Sequence, residues 1–269
     1  LCVVACMPLI ICDWLDVTFA PDDCPYPELN LLLLGCGFLV TRDRGGKRVY
    51  VTPNQYRGTV LVTHSKRFAK VSISGSSCAW LRATGTWLEA LSILASSPHK
   101  VTRLDAALDV PLDAADVIEA LTARYPGGLV NLSRKAQAVT RFLSVRADGR
   151  DSGTWYVGHK DDGRQSLRVY DKSLQMLQRH GEVIPTTTRY EVTASRDKGA
   201  TLRDAESPAA LFFSIAAPAV LNAPEGSPVW APNNDTHWLS APASFTPAEV
   251  LKRRVESSTE LDAFLMLAD

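Results

Sequence analysis

With 269 residues, 46% of them hydrophobic and 22% charged, the chain has the make-up of a soluble globular protein long enough to bury a full core. Lys plus Arg equals Asp plus Glu at 29 each, a net charge of zero. That balance counts against a protein that coats nucleic acid everywhere, while leaving room for local basic stretches at Arg42–Arg48, Lys66–Lys70, Arg134–Arg150 and Lys252–Arg254.

The first twelve residues are apolar but too short to span a bilayer, and they lack the basic leading region of a secretory signal. Residues 1–10 are expected to be a non-native extension, with Met7 as the natural start. None of the six cysteines (Cys2, Cys6, Cys12, Cys24, Cys36 and Cys78) forms a C-x-x-C pair, so a reduced, cytoplasmic protein without a zinc site is expected, with no membrane partner.

In chain order, Ile11–Phe19 reads as a strand, although Asp13 and Asp16 break its alternation. Glu28–Leu34 reads as a short helix. Phe38–Ser74 reads as a meander with turns at Gly45-Gly46 and Pro53-Asn54, and Gly75 provides a tight exit. Thr86–Ala95 has helical spacing, Lys100–Val110 is a strand, and Pro111-Leu-Asp113 caps a helix running to Ala123. Ala138–Val145, Gly153–Lys160, Ser166–Lys172 and Thr186–Ser195 are further strands, with a helix between the last two. Residues 11–217 form the expected catalytic domain. The five prolines of Pro218–Pro242 mark 218–245 as a linker, and the capping box Thr246/Glu249 opens a terminal helix over 246–269.

The chemistry gathers on three strands. Ser166–Lys172 puts Arg168, Tyr170 and Lys172 on one face, where two cations would neutralise a phosphodiester and favour a phenolate. Lys100–Val110 sets Arg103, Asp105 and Asp109 opposite its apolar residues, and Thr188–Ser195 does the same with Arg189 and Glu191. Neighbouring strands lie about 4.8 Å apart, so the acids of such strands can share a divalent ion. This pattern points to a metal-assisted tyrosine nuclease acting on DNA. The same spacing also fits cross-strand ion pairs without chemistry, and a tyrosine that is simply packed. The predicted fold is α+β, an antiparallel sheet with helices on one face and an open polar catalytic face.

The segments Arg103-Leu-Asp-Ala-Ala-Leu-Asp109, Tyr156-Val-Gly-His-Lys160, Arg168-Val-Tyr-Asp-Lys172 and Arg189-Tyr-Glu191 resemble the replication initiation factor (Rep_trans) family of rolling-circle plasmids and filamentous phages. Asp13–Phe19 and Val71–Gly75 also look like that family's opening strand and pre-helix turn, so the likeness covers roughly residues 11–215. It departs from the pattern at His159-Lys160, where the family carries Ser-Arg, and like the family it lacks a His-hydrophobic-His pair.

The resemblance implies an endonuclease of DNA replication that nicks and rejoins one strand at an origin through a covalent 5′-phosphotyrosine. Tyr170 is the expected nucleophile, aided by Lys172 and Arg168; Asp105, Glu191 and Asp109 are the expected ligands of Mg²⁺ or Mn²⁺. Arg103, His159, Lys160, Arg164 and Arg189 are expected to hold DNA, with Trp155, Phe142 and Arg141 as further contacts. Implied partners are a single-stranded or hairpin origin segment, a host helicase and polymerase in a bacterial cytoplasm, and a second copy in a homodimer. The alternative is a non-cleaving, origin-binding or regulatory protein of the same fold. An RNA-binding sheet is disfavoured because the exposed strand positions are acids and cations rather than aromatics.

Overall fold

Alternation of apolar and polar residues shapes most of this chain, and the computed structural model describes it over residues 10–53, 57–125, 139–145, 151–158, 166–195 and 199–221. The described elements are β1 (Ile10–Phe19), α1 (Tyr26–Gly35), β2 (Leu39–Arg44), β3 (Lys47–Val51), β4 (Thr59–His64), β5 (Ala69–Ser74), α2 (Gly75–Ala83), α3 (Trp87–Ala95), β6 (His99–Val110), α4 (Ala114–Arg124), β7 (Val139–Val145), β8 (Asp151–Val157), β9 (Ser166–Asp171), α5 (Lys172–His180), β10 (Thr188–Ser195), α6 (Leu202–Glu206) and α7 (Ala209–Leu221). The class is α+β, as expected. The chain divides into two compact units.

The first unit holds Ile11–Ala106 and Thr193–Pro208. Its strands run in the order β2-β3-β4-β5-β1, followed by the first part of β6. The pairs from β2 to β1 are antiparallel. Leu15, Val17 and Phe19 of β1, Val60 and Val62 of β4, and Val71 and Ile73 of β5 are buried, as are Leu29, Leu33, Leu81 and Leu94 of the helices. Helix α2 packs on β4 and β5 and against α3, which also touches α1 and α6. The tight exit at Gly75 is real: a Cβ there would lie 2.6 Å from the Asp13 carbonyl oxygen. A helix starts at this glycine, where Gly-Ser-Ser alone reads as a turn and the resemblance of Val71–Gly75 implied a helix to follow.

The second unit holds Ala107–Val192 and, from Ala209, helix α7. Its strand order is the end of β6, then β10-β9-β8-β7. The β7–β8 and β8–β9 pairs are antiparallel, with Thr154 opposite Tyr170 and Tyr156 opposite Arg168. Trp155, Val157, Leu167 and Val169 therefore share the other face and are buried. Helix α4 packs on β8 and β9 through an inner side of Val117, Ile118 and Leu121, and α7 packs on β9. The Asp113 carboxylate accepts from the Ala115 amide at 2.8 Å, the cap its position suggested. Helix α7 was not anticipated; its sequence is apolar all round and lacks the polar stripe that marks a surface helix.

Among the described residues no helix is long and apolar enough to cross a membrane. The described cysteines Cys12, Cys24, Cys36 and Cys78 are free thiols. The turn at 147–149, the Pro-rich stretch beyond 221 and the terminal helix over 246–269 lie outside the described residues.

Candidate active site

Strand β9 carries the centre of the site. Arg168 and Tyr170 stand on the face opposite buried Leu167 and Val169. The Tyr170 hydroxyl donates to Glu191 Oε2 at 3.1 Å, and Arg168 Nη2 donates to Glu191 Oε1. The guanidinium also lies over the Tyr170 ring, 4.7 Å from its centroid. One carboxylate on β10 thus holds both β9 side chains, one on each oxygen. Desolvation works against the Arg168 charge, but the fields of Glu191 and Tyr170 and hydrogen bonds to Glu191 and Tyr156 outweigh it, so its pKa lies above the ordinary value.

This face is less open than the sequence implies. Tyr170 is only 5% exposed and Glu191 4%, while the Arg168 side chain keeps 31% of its surface. Guanidinium, not phenol, is what solvent meets. Lys172 departs further from expectation. The Asp171 carboxylate accepts from the Leu174 amide at 2.8 Å and from the Ser173 hydroxyl at 2.6 Å, which ends β9 and starts α5. Lys172 is therefore the first residue of a helix instead of the next residue on the Arg168–Tyr170 face, and its Nζ donates to Gln175 at 2.8 Å.

Asp109 and Arg189 form a two-pronged pair, Nε to Oδ1 at 2.5 Å and Nη2 to Oδ2 at 2.6 Å. Arg189 is 5% exposed, so it does not present its charge to DNA in this arrangement. Trp155 is wholly buried, which rules it out as a stacking platform, and among the described residues its Nε1 has no hydrogen-bond partner. Phe142 is 60% exposed and packs edge-on against Tyr156; Arg141 beside it is also exposed. His159, Lys160 and Arg164 lie outside the described residues.

The other two expected residues, Arg103 and Asp105, belong to the first unit. Asp105 is 2% exposed and takes both prongs of Arg103, with Nε at 2.9 Å from Oδ1. Arg103 in turn stacks 4.8 Å over the Trp14 ring, whose Nε1 donates to Asp16 at 2.8 Å. Asp16 is buried and paired with Lys70 at 2.6 Å. Trp14 and Asp16 were missed as members of a polar network. The signal was there: Asp16, like Asp13, interrupts the alternation of the strand.

Hard carboxylate oxygens are the donors that Mg²⁺ or Mn²⁺ favours. Asp105, Glu191 and Asp109 are each engaged by an arginine, and among the described residues no three of His, Cys, Asp and Glu gather as a metal-holding group.

No family model matches the chain, and no curated protein matches it either. Its structure is similar to that of a rolling circle replication initiator protein from Geobacillus stearothermophilus, with a TM-score of 0.54 and 19% sequence identity over 77% of this chain and 84% of that one. The likeness is one of fold.

Proposed function

We propose that the chain initiates replication by nicking and rejoining one DNA strand, with Tyr170 as nucleophile. The observation that carries this reading is the Tyr170 hydroxyl on Glu191 beneath the Arg168 guanidinium. A phenol held by a carboxylate and covered by a partly exposed cation is poised for a phosphate: Arg168 can exchange Glu191 for a phosphate oxygen and draw the phosphorus toward the uncovered hydroxyl. As the phenol oxygen bonds to phosphorus it gives its proton to Glu191, the P–O3′ bond breaks, and the 3′ oxygen takes a proton from solvent to leave as a primer hydroxyl. An unperturbed tyrosine titrates near ~10, so at neutral pH the phenol needs a base on attack, and Glu191 already accepts its hydrogen bond. The bond energy stored in the phosphotyrosine lets the reverse step reseal the strand. The shared fold with a rolling circle initiator and the order of the four motifs along the chain support the same reading.

The non-cleaving alternative draws its support from the burial of Tyr170 at 5% exposure. Supercoiled origin DNA with Mg²⁺ or Mn²⁺ separates the two. Cleavage yields open circles with protein on the 5′ end, lost in Tyr170→Phe. Wild-type nicking by that variant removes Tyr170 from the role, and no covalent adduct from the unaltered protein leaves the binding reading.

A further inference from the structure

The first unit carries a second arrangement of charge, away from the carboxylate pairs. Strand register puts Arg44 opposite Lys47, Lys47 opposite Thr63, Thr63 opposite Lys70, and Lys70 opposite Thr18. Directly opposed residues of antiparallel strands share a face, so these five side chains form one row across β2, β3, β4, β5 and β1. Arg42 joins the same face in the next row, opposite Val49. Val60, Val62, Val71 and Ile73 point the other way, into the core.

Two basic stretches that are about twenty residues apart in sequence meet here. The Gly45-Gly46 turn hydrogen-bonds His64 (His64 N to Gly46 O, 2.6 Å), which brings the β2–β3 turn beside the β4–β5 turn with its exposed Lys66 and Arg67. Six cations, Arg42, Arg44, Lys47, Lys66, Arg67 and Lys70, thus gather at one end of the unit.

Their counter-ions are elsewhere. Asp43, within the same strand, points to the opposite face and pairs with Arg48. Asp16 is buried beneath Lys70 and anchors that one amine. Among the described residues no carboxylate pairs with Arg42, Arg44 or Lys47, all three of which are exposed. A row of cations in which Asp43 is turned to the other face and buried Asp16 engages Lys70 alone complements a polyanion. From β2 to β5 the row covers three strand spacings, about 14 Å. That length matches roughly four steps along one strand of B-DNA, at ~3.4 Å each.

We infer that this face grips duplex DNA by its phosphates, independently of sequence. The inference rests on the reading of the chain as a DNA-processing protein. Duplex is favoured over single strand because the row itself is made of threonine hydroxyls and cations, the exposed ring of Phe68 lying outside it in the β4–β5 turn.

The test is binding of a fluorescent duplex of arbitrary sequence across a salt series. Arg42→Ala/Arg44→Ala/Lys47→Ala should lower the slope of log K against log salt by about 2–3, at ~0.9 for every phosphate left without its cation. The triple lysine–arginine exchange Arg42→Lys/Arg44→Lys/Lys47→Arg should restore it, which separates charge from folding. Arg48→Ala, on the other face, should leave the slope as in wild type. An unchanged slope in a triple-alanine protein with a wild-type melt overturns the inference. So does loss of binding to anionic lipid vesicles with duplex binding intact, which would make the face a membrane contact.

Adduct formation at the origin is read separately. A lowered slope with no adduct from the unaltered protein keeps the DNA face and removes the nuclease reading. Adducts with an unchanged slope do the reverse.

Discussion

Replacing Glu191 by alanine removes the acceptor that Arg168 and Tyr170 share. The Tyr170–Glu191 bond joins two side chains with 5% and 4% exposure, and a buried hydrogen bond to a charged group contributes about 1.5–3 kcal/mol. The Arg168 side chain keeps 31% of its surface, so solvent screening brings its pairing down toward about 1 kcal/mol. The sum, roughly 2.5–4 kcal/mol, is a large part of the ~5–15 kcal/mol that holds a typical domain together. Urea unfolding of wild type, Glu191→Ala, Tyr170→Phe and the double variant, followed by circular dichroism, isolates the tyrosine share. The coupling between the two sites should be about 1.5–3 kcal/mol, because neighbours in one network are not additive. A coupling below about 0.5 kcal/mol, the usual scatter for independent sites, would refute the account of Glu191 as the anchor of the site.

Trp155→Ala should destabilise by about 3–5 kcal/mol, since it empties a fully buried site; duplex or single-strand affinity of the folded fraction should be unchanged, and a selective loss of DNA binding would restore the stacking role. Gly153→Ala should disrupt the β7–β8 pairing, because the added Cβ would meet the Phe142 carbonyl oxygen at 1.9 Å; unaltered amide-exchange protection on β8 would contradict this. Burial pushes the Cys24 thiol up to about 11, so far less of it is thiolate at pH 8 than of an exposed cysteine. Alkylation there should run about 100-fold slower than for an unperturbed thiol and speed up as pH rises. A rate typical of a free thiol at pH 8 would show that Cys24 is not so enclosed.

Strand faces were readable because period-2 alternation is written into β6, β9 and β10; the apolar side of each is buried as the pattern implied. The α4 start was readable for a similar reason, since Asp113 precedes an apolar periodic run and does cap it. What spacing did not carry was partner choice. Arg103 takes the acid two residues along its own strand, Arg189 takes one eighty positions earlier, and Arg168 takes one twenty-three later. The last two choices depend on which strands become neighbours, and each of the three puts an expected ligand or DNA contact into an ion pair. Lys172 was misplaced for a local reason: alternation cannot show that Asp171 turns its carboxylate onto the Leu174 amide and converts strand into helix. The cationic row over β2–β5 was visible only as two separate stretches until the hairpins paired.

That Asp171 cap also bears on how Tyr170 keeps its aim. A strand with side chains of period 2 delivers a residue to the wrong side if it slides by one position. In β9 such a slide would tear the carboxylate from the first turn of α5, so helix and strand can move only together. The join acts as a stop pin, fixing which way the phenol faces.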